Sequence, residues 1–141
     1  MRRDLFGLSV LLSTALLGAC ATEKMRSKET VLDETLRTYA ATVRWGDIEQ
    51  ALSFVDPKVR EEHPPTALEL ARFKQVRITA YNEQSPMPSG ENEVRQSVEI
   101  GLVNENTQEA RSVIDRQVWR YDEKTKRWWL MTGLPDISRR E

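Results

Sequence analysis

Residues 118–130 read Val118-Trp119-Arg120-Tyr121-Asp122-Glu123-Lys124-Thr125-Lys126-Arg127-Trp128-Trp129-Leu130. Two short runs rich in aromatic and aliphatic residues flank the polar stretch Asp122 to Lys126, the pattern of a β-hairpin. Side chains alternate across a strand, so the neighbours Trp128 and Trp129 face opposite sides of the sheet. One of them fills a core. The other faces solvent, the membrane surface or a partner, or lies under the stem of a neighbouring arginine.

The same period of two continues upstream. A strand from about Glu109 to Tyr121 leads into the hairpin, and its last strand runs from Trp128 to Thr132. Val113 shares a face with Trp119 and Tyr121, while Ile114 shares the other with Val118. Either both faces are partly covered or a bulge sits near Asp115. Before the turn Asn104 to Thr107, the residues Val94, Gln96, Val98, Ile100 and Leu102 mark a long strand, with Gly101 as a bulge or bend. Val76, Ile78 and Ala80 alternate with Arg77, Thr79 and Tyr81 in a further half-buried strand. Between these two, Gln84 to Asn92 contains Ser-Pro-Met-Pro-Ser-Gly and reads as a loop. The count is about four strands.

The first half has a helical period. Leu32, Leu36, Tyr39 and Val43 form one apolar stripe. Trp45-Gly46 ends that helix, with Gly46 expected in the left-handed C-terminal conformation. Asp47 caps the next helix, with Gln50 as its box partner, and Ile48, Ala51, Leu52 and Val55 form its buried face. Asp56-Pro57 stops it, and Lys58 to Pro65 is a charged connector. Thr66 and Glu69 predict a capping box for a short helix from Ala67 to about Arg72. Helices followed by hairpin-linked strands define an α+β chain, with N-terminal helices packed on a curved antiparallel sheet.

Composition narrows the function. The chain has 141 residues and a net charge of −1, which excludes a basic nucleic-acid binder. A single cysteine excludes an intrachain disulfide, and a single histidine argues against a multi-histidine metal site. No glycine-rich phosphate loop or other cofactor motif is present, so neither a cofactor nor a metal is expected. His63, before Pro64-Pro65, reads as a solvated loop histidine.

Twelve of the first twenty residues are hydrophobic. Arg2 and Arg3 precede the apolar run Leu5 to Leu17, which is too short to span a bilayer and has the form of a secretory signal. It ends Leu17-Gly18-Ala19-Cys20, which resembles the lipobox of bacterial lipoproteins. The resemblance implies cleavage between Ala19 and Cys20 and lipidation of the Cys20 thiol. Residues 1–19 are then the signal peptide, 20–28 the lipidated cysteine and tether, and 29–141 one α+β domain. Multiple acyl chains anchor without spanning. In the lipoproteins it resembles, an aspartate directly after the cysteine favours inner-membrane retention; with Ala21 there, the resemblance implies the periplasmic face of the outer membrane, and an inner-membrane lipoprotein is the alternative.

The order of elements resembles the NTF2-like cone fold (the SnoaL-like class). It is a long helix with a Trp-Gly-Asp corner, a second helix closed by Asp-Pro, then a curved sheet ending in the hairpin above. A cystatin-like helix-on-sheet domain is the nearest competing likeness. The NTF2-like resemblance implies pocket chemistry of isomerase or dehydratase type, with Asp115 as base and Tyr39 as hydrogen-bond donor. The residues alone favour a different placement, with Asp115 on the solvent face pairing with a strand arginine. Trp45, Trp119, Trp128 and Trp129 are the candidate binding aromatics. The expected role is a non-enzymatic, lipid-anchored envelope domain that binds a protein partner or a small apolar ligand. A pocket enzyme and a structural accessory subunit are the alternatives.

Overall fold

A computed structural model describes residues 27–139; the leader, the lipobox Leu17-Gly18-Ala19-Cys20 and most of the tether lie outside the described residues. Helix α1 spans Lys28–Trp45. Ser27 caps it, its hydroxyl accepting from the Thr30 amide at 3.2 Å. Its inward stripe is Leu32, Leu36, Tyr39 and Val43, all buried. Gly46 follows with φ −95° and ψ −167°, so it is extended and not left-handed as the sequence suggests. A glycine is needed there for space: a Cβ would meet the Thr42 carbonyl oxygen at 2.8 Å.

Helix α2, Ile48–Ala51, runs into a 3₁₀ turn, Leu52–Phe54. Asp47 caps it by accepting from the Glu49 amide, and the expected box partner Gln50 contributes only its own amide, to the Asp47 carbonyl. The supposed connector contains a helix, α3, Pro57–Glu62. Asp56-Pro57 ends one helix and starts the next: proline at the first turn lacks only an N–H that no helix would use, and the Asp56 carboxylate accepts from Lys58 and Val59. Helix α4, Ala67–Phe73, carries the capping box formed by Thr66 and Glu69.

Five strands follow: β1 Val76–Glu83, β2 Met87–Gly90, β3 Glu93–Asn104, β4 Ala110–Asp122 and β5 Arg127–Leu130. They form one antiparallel sheet in the order β1-β3-β4-β5, with β2 also paired to β3. The proline-rich loop therefore supplies a fifth, short edge strand, where a missing amide is tolerated. β3 and β4 pair without interruption from Glu93 opposite Arg120 to Val103 opposite Ala110. The bulge lies instead on β1, between Ile78 and Ala80, opposite Gly101. A Cβ on Gly101 would stand 2.9 Å from the Thr79 hydroxyl and 3.1 Å from the Ala80 Cβ. Gly101→Ala should cost about 1–3 kcal/mol, read as a lower urea midpoint at unchanged slope; an unshifted midpoint would mean that the bulge adapts.

The architecture is the α+β cone, with helices closing one face of a curled antiparallel sheet. Two apolar clusters fill it. One joins the α1 stripe to Val94, Trp119, Tyr121, Trp128 and Leu130. The other joins Val98, Ile100, Leu102 and Val113 to Ile137 of the C-terminal segment, which is tied down by the Arg111 guanidinium donating to the Ile137 and Arg139 carbonyls. Among the described residues no helix is long and apolar enough to cross a membrane.

Candidate functional site

Polar side chains stand between the two apolar clusters, on the inner face of the sheet. The uninterrupted β3–β4 register keeps one phase along β4, so Val113, Asp115, Gln117, Trp119 and Tyr121 all point inward. This corrects the expectation that Asp115 faces solvent beside an arginine. Opposite Asp115 stands Val98, and opposite Gln117 stands Gln96. The bulge on β1 reverses that strand's phase. Tyr81, outward if the alternation from Val76 held, is brought inward opposite Ile100, and Glu83 opposite Val98.

Gln117 organises the group. It is buried, and its amide is fully used. Nε2 donates to Asp115 Oδ2 at 2.8 Å and to the Tyr81 hydroxyl at 3.0 Å, while Oε1 accepts from Trp119 Nε1 at 3.0 Å. Because Tyr81 accepts from Gln117, its own proton remains to be donated. Asp115 retains Oδ1. Tyr39, reaching in from α1, is 0% exposed and its hydroxyl has no partner. Trp119 and Phe54 hold the Tyr39 ring edge-on at centroid distances of 5.2 and 5.4 Å. Gln96 Nε2 donates to the Gln84 carbonyl, but its Oε1 is likewise buried and unpartnered.

Desolvation sets the ionisation. Burial pushes the Asp115 carboxyl up to about 6, and the Gln117 hydrogen bond offsets part of that rise. Burial, reinforced by the fields of Asp115 and Tyr81, pushes the Tyr39 hydroxyl well above its ordinary range, so it stays a neutral donor. Burial raises Tyr81 too, and Glu83 at the rim more mildly. The interior thus presents two phenolic O–H donors and one carboxyl that changes charge near neutrality, all against apolar walls. Such an arrangement can bind an oxygen-bearing apolar molecule or move a proton at its surface.

Trp119 is fully enclosed, and Trp128 is buried with Nε1 donating to the Lys28 carbonyl at 3.0 Å. Trp129 faces the opposite side, where the Arg127 guanidinium covers its ring at 4.2 Å. Trp45 is 75% exposed at the end of α1, with Arg44 over its ring and no part in the interior group. His63 is exposed at the end of α3. Cys20 and Ala19 lie outside the described residues. Tyr81, Gln117, Gln96 and Glu83 complete the group beyond the residues singled out from sequence. Among the described residues no cluster of three His, Cys, Asp or Glu side chains could hold a metal ion.

Fold and site together define an α+β cone with a buried tyrosine–carboxyl centre. No protein-family model matches the chain, and no curated protein matches it. Among solved structures it is similar to a ketosteroid isomerase-like protein from Erwinia carotovora atroseptica SCRI1043, at 18% identity and a TM-score of 0.46, over 71% of this chain and 88% of that chain.

Proposed function

We propose that the protein is a lipid-anchored envelope domain whose cone binds a small, largely apolar ligand bearing a carbonyl or hydroxyl oxygen. The observation that carries this reading is the Tyr39 hydroxyl, fully buried beside Asp115 and Tyr81 with no hydrogen-bond partner. A buried donor left unmade costs about 1–3 kcal/mol, and a ligand oxygen would recover that cost. The test is a thermal-shift series with apolar ketones and phenols of graded size. A ligand at a hundred times its Kd should stabilise the protein by about 2.7 kcal/mol. Tyr39→Phe should weaken such binding tenfold or more while leaving the unliganded protein as stable or slightly more so. Equal affinity in both proteins would remove the cone from the reading.

One observation favours a second role for the same site. A carboxyl titrating near 6 is poised as a general base at neutral pH. Proton abstraction next to a ligand carbonyl would require ionised Asp115, so any turnover should rise with pH through about 6 and vanish in Asp115→Asn. Turnover that is flat across that range would leave the site to binding alone.

The anchoring half of the proposal rests on Leu17-Gly18-Ala19-Cys20 after the apolar run. Cys20 would carry the lipid; because α1 starts at Lys28, one residue before the domain boundary expected from sequence, residues 21–27 would be the tether, holding the domain within about 25 Å of the bilayer at the periplasmic face of the outer membrane. Cys20→Ser should abolish acyl labelling and move the protein from the membrane to the soluble fraction. Retained labelling would refute the lipobox.

A further inference from the structure

A cleft of about 630 Å³ lies between α3, α4 and the segment Met131–Ser138. Its volume falls in the range of about 300–1,000 Å³ typical of small-molecule sites. Tyr39, Tyr81, Asp115 and Gln117 are not among its lining residues, so it is distinct from the cone site. Val55, Val59, Phe73 and Leu134 give it an apolar floor.

The charges around it are unequally engaged. Glu69 is committed to α4, accepting from the Thr66 amide and hydroxyl at 2.7 and 2.8 Å. Asp136 is held by Ser138 at 3.0 and 2.6 Å and stands 3.8 Å from Arg139. Arg60 and Arg72, which also line the cleft, reach no carboxylate at ion-pair distance among the described residues. Glu69 feels the charge of Arg72 from further away. The Arg60 Nε–H is moreover shielded from solvent with no acceptor. Glu62 is the remaining acid on the lining, exposed at the end of α3. A guanidinium N–H withdrawn from water and left unpaired is costly unless an acceptor reaches it, and a planar carboxylate fits that fork better than any neutral group.

We propose that this cleft binds a single-chain carboxylate amphiphile, with its hydrocarbon chain on Val55, Val59, Phe73 and Leu134 and its carboxylate on Arg60 and Arg72. The test is calorimetric titration of the purified protein with decanoate below its micelle concentration. Decanol and decyltrimethylammonium are the neutral and cationic controls of equal chain length. Decanoate should bind at least tenfold more tightly than either control, and its affinity should fall with added salt while that of decanol does not. Arg60→Gln and Arg72→Gln should each weaken decanoate at least fivefold and leave decanol unchanged. Arg60→Lys, which keeps the charge but lacks the Nε–H, should fall between Arg60→Gln and wild type. Tyr39→Phe should bind decanoate as wild type does. Equal binding of decanoate and decanol would overturn the proposal, as would insensitivity to both arginine variants. Loss of decanoate binding in Tyr39→Phe would also overturn it, because the amphiphile would then occupy the cone. The salt comparison needs no variant, so it stands even where a substitution fails to fold.

Discussion

At pH 8, Asp115→Asn is expected to be more stable than the wild-type protein by on the order of 3 kcal/mol, the free energy that corresponds to moving a carboxyl from 3.8 to about 6. Asparagine is neutral at all pH and still offers an oxygen to Gln117 Nε2, so the hydrogen bond now made at 2.8 Å survives. The sign follows from proton counting. Below about pH 3.8 the carboxyl is protonated in both the folded and unfolded chains, and wild type and variant should be close in stability. Between 3.8 and 6 the folded chain holds a proton that the unfolded chain has released, so wild-type stability falls as pH rises. Above about 6 the whole cost of burying the charge is present. Glu69, Glu93, Asp122, Glu123 and Asp136 are all lowered by hydrogen bonds and act in the opposite sense, losing stability as pH falls. They are common to both proteins, so the difference between the two urea curves isolates Asp115. A gap that opens between pH 4 and 6 is the expected result, and a gap independent of pH would assign the effect to packing. A substitution that stabilises the fold while removing the carboxyl that any proton transfer would need is what a site held at a cost to stability should show.

Trp119→Ala should cost about 3–5 kcal/mol, a large part of the roughly 5–15 kcal/mol available to a domain of this size. Three losses add together. The largest fully enclosed side chain disappears, Tyr39 loses the edge-on ring at 5.2 Å, and Gln117 Oε1 loses its donor. The freed Gln117 amide would no longer be held in the orientation that serves Asp115 and Tyr81, so ligand affinity should fall as well. Trp45→Ala, at the exposed end of α1, should change stability by no more than about 0.5 kcal/mol. Urea midpoints of the two variants check both statements, and similar losses in both would contradict the placement of the core.

Much of the frame is legible in the sequence because single, local rules decide it. The α1 stripe Leu32-Leu36-Tyr39-Val43 is one face of a helix, and it is buried as a unit. The Thr66/Glu69 box and the hairpin around Asp122–Lys126 depend on residues only a few positions apart. The features that escape reading need a second strand. Tyr81 looks outward until the bulge opposite Gly101 shifts its phase, and only the β1–β3 register shows that bulge. On β4, Ile114 and Val118 are apolar and partly covered on the outer face, so the sequence pattern has two apolar faces and does not by itself assign Asp115 to the inner one. Its position two and four residues before Gln117 and Trp119 is the signal that places it, once the strand is known to be continuous. Asp56-Pro57 reads as a stop because proline ends what precedes it; the same pair starts α3. Strand β2 is hidden by Pro88 within it and Pro86 just before it; an edge position tolerates the missing amide.

The most direct test of a cone with a polar, desolvated centre is the titration of the Asp115 side-chain carboxyl, followed by carbon-13 NMR and assigned by its loss in Asp115→Asn. A midpoint near 6 is the expected result. A midpoint near 3.8 would mean that the carboxyl stands in water and that the interior site, with the binding proposed for it, does not exist.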